Sequence, residues 1–266
     1  MSKEEKAGAD PNIPASEPKT YVLGIAFDLV NCQEVLDTIR LWRERGEKCY
    51  IALTNPHSVL ICQRDAEMRR ATEEAALTLP DGVGIIWAAN ILGYPHQGRV
   101  TGPALMLNLC DRGRRFGLRH YFYGGAEGVA ERLARRLAEM YPGLQVAGVH
   151  CPPFRALTPE EDEEAVRRIN AARPDIVWVG LGAPKQEKWM AAHAGRVEAP
   201  AMIGVGAAFD FHSGNVPWAP AWIRRLGIEW AYRLALDPRR MWRRNLDSPL
   251  FLLKVCGQCL KSFFVR

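Results

Sequence analysis

From residue 21 onward, short apolar runs alternate with longer stretches in which apolar positions recur every three or four residues. The runs read as strands over 21–29, 48–53, 77–79, 120–123, 145–149, 176–179 and 201–205. The 3.6-residue period predicts helices over 31–45, 58–70, 102–116, 129–140, 159–172 and 185–193. Strands that alternate with helices build a parallel sheet covered on both faces. The expected fold class is therefore α/β, a Rossmann-like, doubly wound and mostly parallel sheet.

In such sheets ligands sit beyond the carboxyl ends of the strands, so the loops there carry the chemistry. The most informative of them is Leu79-Pro80-Asp81-Gly82-Val83-Gly84, which presents a carboxylate in a Pro/Gly turn between an apolar run and a helix-like segment. Asp81 is either a chemical group or the N-cap of the helix that follows. Two glycine turns, Tyr123-Gly124-Gly125-Ala126-Glu127-Gly128 and Gly180-Leu181-Gly182-Ala183-Pro184-Lys185-Gln186, each follow a strand and open a helix. Bare N–H groups at a helix start suit a diphosphate, while the same glycines also serve close helix–strand packing. Lys185 and Gln186 strengthen the second turn with a cation and an amide. A dinucleotide-dependent oxidoreductase is the weaker reading, because no acid stands in the strand-end sequence 146–153, where a ribose-binding carboxylate belongs.

Charge redraws the C-terminal part. Residues 218–266 hold ten Lys/Arg against three Asp/Glu in a chain of net charge +5, so the rest is slightly acidic. Arg224, Arg225, Arg233, Arg239, Arg240, Arg243 and Arg244 are interleaved with Trp218, Trp222, Trp230 and Trp242. Arginine attracts phosphate and anionic lipid, and Trp favours the headgroup boundary. Beyond Pro249, Leu252, Val255, Cys256, Cys259, Leu260 and Phe263 fall on one helical stripe, with Lys254, Gln258, Lys261 and Ser262 largely off it. Such a helix lies on a membrane or packs on a partner. Cys256 and Cys259 belong to the stripe as packing residues, since no second pair of ligands completes a metal site. The basic surface comes without a recognised nucleic-acid reading module, and no nucleic-acid partner is expected.

The 266 residues, 48% of them hydrophobic, suit a soluble globular chain. Residues 1–20, with Pro11, Pro14 and Pro18 among charges, read as a disordered arm. The expected division is this arm, an α/β domain over 21–217 and a basic, Trp-rich helical appendage over 218–266. Seven dispersed cysteines and no apolar run of the roughly 18 residues needed to span a bilayer point to a reducing, cytoplasmic location with peripheral membrane contact.

These motifs together carry a resemblance. The 79–84 turn, Arg99-Val100-Thr101-Gly102, Tyr123-Gly124-Gly125, Gly182-Ala183-Pro184-Lys185-Gln186-Glu187-Lys188-Trp189, Phe209-Asp210-Phe211 with Gly214, and the 227–234 segment resemble, in order, the WecG/TagA/CpsF glycosyltransferase family. The resemblance implies transfer of a sugar from a UDP-sugar to a polyprenyl-diphosphate-linked saccharide at the inner face of the plasma membrane, in the assembly of exopolysaccharide or wall polymers. It implies single displacement with inversion, with Asp81 as general base. Arg233, Arg240 and Arg243 match tail arginines that fold over the site and stabilise the leaving group; a solvated basic face is their alternative. Asn55 matches a family asparagine, to hold a sugar or nucleotide or to cap a helix.

Donor binding falls to Thr54, Gly82, Gly84, Thr101, Gly102, Gly124, Gly125, Gly182, Pro184, Lys185, Gln186 and Asp210. Asp210 and His212 also have plainer roles open to them, as salt bridge or cap and as polar loop residue. Membrane and acceptor contact falls to Arg224, Arg239, Arg244, Trp222 and Trp242. No cofactor is expected, and no metal, because the chain has no Asp-x-Asp pair to clamp a metal-bound diphosphate. Two positions depart from the family pattern: Leu53 stands where relatives commonly carry Thr, and Ala104 where they usually carry Asp. Both bear on the donor sugar, so N-acetylmannosamine does not follow automatically. Pro152-Pro153-Phe154 resembles exopolysaccharide-type members and favours a hexose or uronic acid donor. A homo-oligomer that buries the tail stays open. So does a non-catalytic nucleotide-binding or membrane-scaffold module.

Overall fold

The structure, a computed structural model, describes residues 19–94 and 100–264, and of 240–246 and 261–264 the backbone alone. Of the arm expected over 1–20, residues 1–18 lie outside the described residues, while Thr20 is buried within the first strand. The single strand expected over 21–29 is a hairpin of β1 (Thr20–Val22) and β2 (Ile25–Phe27). Leu23 and Gly24, with φ of 50° and 80°, reverse the chain, and glycine makes that turn accessible. Helix α1 (Cys32–Arg45) starts with a capping box between Asn31 and Glu34. Strand β3 (Cys49–Thr54) follows. The helix expected over 58–70 is two, α2 (Pro56–Cys62) and α3 (Ala66–Glu73). Asp65 ends the first run by capping the second, its carboxylate accepting from Met68 N at 3.0 Å.

The chain continues through β4 (Leu77–Pro80), α4 (Val83–Ile91), α5 (Gly102–Arg112), β5 (Arg119–Gly124), α6 (Val129–Met140), β6 (Gln145–His150) and α7 (Pro159–Ala172). It goes on through β7 (Ile176–Gly180), α8 (Lys185–His193), β8 (Ala201–Gly204) and α9 (Ala208–Ser213). Strands β3 to β8 form one sheet in the order β4-β3-β8-β7-β5-β6, with every neighbouring pair parallel. Pro80 is tolerated because β4 is an edge strand. One face packs Phe122, Trp178 and Ile203 under α1, α5, α6 and α9; the other packs Tyr121, Tyr123 and Val179 under α7 and α8. The fold is thus the expected Rossmann-like α/β sheet, covered on both faces.

The remaining helices are α10 (Ala221–Leu226), α11 (Glu229–Leu236) and α12 (Pro238–Phe264), the last running through Pro249. Helix α12 closes a third apolar cluster with the hairpin, α2 and α4, built on Val22, Phe27, Val59, Ile85, Phe251 and Val255. This corrects the phase of the C-terminal stripe. Its inner edge is Phe251 and Val255, whereas Cys256 and Leu260 are exposed, and Phe263 lies outside the described side chains. Gln258, expected off the stripe, is half-buried and clamps the hairpin: Oε1 accepts from Leu23 N at 2.7 Å and Nε2 donates to Tyr21 O at 2.9 Å. Hairpin backbone left open by a two-stranded sheet needs a partner, and the amide supplies it. Among the described residues, no helix is long and apolar enough to cross a membrane.

Candidate active site

A cavity of about 270 Å³ opens beyond the carboxyl ends of β4, β3, β8 and β7. Asp81 enters it directly from β4, with its backbone N–H held by Thr54 O at 3.0 Å. The capping alternative falls away because the N-cap of α4 is Gly82, which has no side chain to use. Gly82 adopts φ +92°, a region L side chains avoid. At Gly84 a Cβ would stand 2.6 Å from Pro56 Cγ, so the first turns of α4 and α2 approach closely only with glycine there. Both glycines line the cavity beside the carboxylate.

Asn55 lines the cavity and also caps α2, its Oδ1 accepting from Ser58 N at 3.1 Å. Thr54 does not line it. Side chains alternate along a strand, and Thr54 shares the opposite face with Tyr50 and Ala52, leaving Leu53 on the cavity side. Thr101 caps α5, its Oγ1 accepting from Ala104 N at 3.4 Å, and joins Gly102 in the wall. Gly182 and Gln186, on either side of the cis Ala183-Pro184 bond, also line the cavity. Gln186 is fixed at both ends of its amide: Oε1 accepts from Gly182 N at 3.2 Å and Nε2 donates to the buried Glu187 at 2.8 Å.

Other expected residues stand apart from this cavity. Gly124 and Gly125 sit at the end of β5, where a Cβ on Gly124 would meet Gly180 at 2.6 Å and the Gly125 N–H donates to Gly180 O at 3.1 Å. Here the close-packing role of glycine is evident. Pro184 and Lys185 lie outside the lining, and Lys185 is exposed with its ammonium 5.4 Å from the Phe154 ring. Asp210 accepts from Asn215 Nδ2 at 2.9 Å, and His212 is bonded to Pro103 O at 2.9 Å. Burial lowers the His212 pKa below the usual histidine value, and the neutral ring donates from Nε2 to that carbonyl.

The appendage supplies the opposite wall through Gly227, Glu229, Trp230, Arg233, Ser248 and Phe251. The Arg233 guanidinium lies 5.4 Å from the centre of the Phe211 ring, which stacks on Trp218, and Arg224 covers Trp218 at 3.7 Å. These cation–π contacts carry the start of the appendage against α9. Trp222 and Arg239 are exposed, while Arg224 is half-buried on Trp218. Arg240, Trp242, Arg243 and Arg244 lie outside the described side chains, as Arg99 lies outside the described residues. Among the described residues, no group of three or more His, Cys, Asp or Glu is placed to hold a metal ion.

Sequence reasoning did not single out His57, Trp87, Glu229 or Ser248, which also line the cavity. Glu229 stands four residues before Arg233, one helical turn, so both reach the same face. Trp87 likewise follows Gly84 by nearly one turn of α4. His57 and Ser248 carry no local signal, because they come to the same cavity only through the docking of α12.

Residues 20–263 match the family model described as "Glycosyl transferase WecG/TagA/CpsF family". The chain is similar to the N-acetylglucosaminyldiphosphoundecaprenol N-acetyl-beta-D-mannosaminyltransferase of Bacillus spizizenii strain W23, with 31% identity over 220 residues, 83% of this chain and 82% of the relative. It is also similar to the protein of the same name from Staphylococcus aureus strain NCTC 8325, with 28% identity over 239 residues, 89% of this chain and 92% of the relative. With nearly the whole chain matched and the motif-bearing loops gathered around one cavity, this protein belongs to the WecG/TagA/CpsF glycosyltransferase family.

Proposed function

We propose that this glycosyltransferase moves a sugar from a UDP-sugar to a polyprenyl-diphosphate-linked saccharide, with inversion and without a metal ion. The observation that carries the reading is the pairing of Asp81 and Arg233 in one cavity at the strand ends. An acceptor hydroxyl attacks the anomeric carbon as its proton passes to the Asp81 carboxylate. The bond from that carbon to the diphosphate oxygen breaks, and UDP leaves with the electron pair. Arg233 supplies positive charge where negative charge develops, an effect usually worth several kcal/mol. The absence of an Asp-x-Asp pair from the chain supports charge neutralisation by arginine rather than by a clamped metal.

The acceptor class follows the printed names of the relatives, which act on an N-acetylglucosaminyl-diphosphate lipid. Their donor does not carry over as readily. Leu53 gives the cavity an apolar wall, and Ala104, in the first turn of α5, brings no carboxylate. We favour a hexose or uronic acid donor over N-acetylmannosamine. The enzyme works at the inner membrane surface, where the lipid-linked acceptor resides. Exposed Trp222, Leu226, Leu253 and Leu260, with Arg225, Arg239 and Lys254 among them, support that placement.

The test is Asp81→Asn, assayed by product mass with a panel of UDP-sugars and a synthetic polyprenyl-diphosphate acceptor. Turnover is expected to fall by about 10²–10⁴-fold, the usual contribution of a general base, while UDP binding measured by calorimetry survives. Unchanged turnover removes Asp81 from this role. Loss of activity on adding a chelator removes the metal-free reading.

A further inference from the structure

The cavity has two walls of different origin: strand-end loops on one side and the appendage helices α11 and α12 on the other. How α12 is held therefore decides where Glu229, Trp230 and Arg233 stand. Its far end is anchored by Phe251 and Val255 in the third apolar cluster and by the Gln258 clamp on the hairpin. These residues lie four to eleven positions beyond Asp247, roughly 6–16 Å along the helix axis. Nine residues beyond the start of α12 at Pro238, Asp247 Oδ2 meets His57 Nδ1, a hydrogen-bonded contact joining α12 to the first turn of α2. Both side chains are mostly buried, 25% and 17% exposed. Pro56 and Ser58 beside His57, and Ser248 beside Asp247, line the cavity, as does His57 itself. The contact thus lies on the seam between the two walls.

We propose that His57 is a positioning residue, whose hydrogen bond to Asp247 fixes the appendage wall, and with it Arg233, opposite Asp81. An ionised carboxylate only accepts hydrogen bonds, so the ring proton resides on Nδ1 and donates to Asp247. With the Gln258 clamp eleven residues further along, a directional bond at this point gives α12 a second fixed point, which sets its height over the strand ends where the non-directional apolar contacts alone leave it open. Through the 236–238 junction the same constraint passes to α11. The proposal rests on the reading of the cavity as the transfer site.

The experiment uses full-length protein and compares His57→Leu, His57→Asn, Asp247→Ala and the double variant His57→Leu/Asp247→Ala in the transfer assay, with hydrogen exchange across 229–250. Asparagine keeps an N–H donor close to the place of Nδ1. His57→Leu and Asp247→Ala are each expected to lower kcat about tenfold, with the acceptor KM within threefold and the thermal midpoint little changed. The double variant should be no worse than either alone, the non-additivity of a shared contact. His57→Asn should recover most of kcat and the slow exchange of α11. The proposal is overturned if both single variants keep kcat within twofold, or if His57→Asn is as impaired as His57→Leu while Asp247→Ala is active. Asp81→Asn in the same assay separates the two ideas: if it stays active, the site reading fails, whereas its inactivity beside unaffected His57 variants sinks only the latch. Hydrogen exchange and UDP calorimetry report on the latch even where no donor in the panel is turned over.

Discussion

At the scale of single residues, the environment decides what each polar group can do. Asp81 is presented by an edge strand and precedes a glycine N-cap, so the N-cap position of the next helix does not fall to its carboxylate. His120 illustrates the opposite case. It is fully buried, accepts at Nδ1 from Trp178 Nε1 at 3.1 Å and stacks parallel to that indole. Burial pushes its pKa down to about 3. The unfolded chain takes up a proton at this histidine near pH 6.5 while the folded one stays neutral, so stability is lost as pH falls below that value. The expected contribution is a loss of about 2 kcal/mol between pH 7 and pH 5. Urea unfolding at the two pH values checks it. His120→Gln, which does not titrate, should show a smaller difference.

At the scale of elements, α12 does two jobs with two faces. Its inner face fills the gap between the hairpin, α2 and α4, where Phe251 is 1% exposed. Phe251→Ala should cost about 3–5 kcal/mol, read as a shift in the urea midpoint, with faster hydrogen exchange along α12. Its outer face carries Leu250, Leu253 and Leu260, all exposed, at the helical spacing of three and seven. This division explains why the stripe drawn from the sequence was out of phase. Apolar residues occur around most of the helix between 250 and 260, so periodicity alone does not say which edge turns inward. The short helices α2 and α3 escaped for a related reason. Their apolar positions continue in register across the break, and the capping carboxylate of Asp65 is the local sign that the helix restarts.

At the scale of the whole molecule, removing the appendage would expose Val22, Phe27, Val59 and Ile85, so a truncation tests folding as much as membrane contact. Exposed positions give a cleaner trial. Leu253→Glu/Leu260→Glu replaces two apolar side chains, 72% and 61% exposed, with acids that repel an anionic surface. Cosedimentation with vesicles containing phosphatidylglycerol is expected to fall by about tenfold or more, since each buried leucine contributes ~1.5–3 kcal/mol and the charges add repulsion. The urea midpoint should be unaltered. Undiminished binding would remove this face from the membrane.

By itself the sequence determined the alternating elements, the parallel sheet, the presence of Asp81, Gly82 and Gly84 at a strand end, and the family, because periodicity and turn chemistry are local properties. Only the tertiary structure decided which of the candidate loops share a cavity. Strand alternation turned Thr54 to the far face and left Leu53 in the wall; sheet order set the Gly124-Gly125 turn beside Gly180 rather than in the lining. The docking of α12 brought Asp247 to His57 across 190 residues of sequence. Contacts of that kind are fixed by how helices pack on one another, and no local pattern along the chain encodes them.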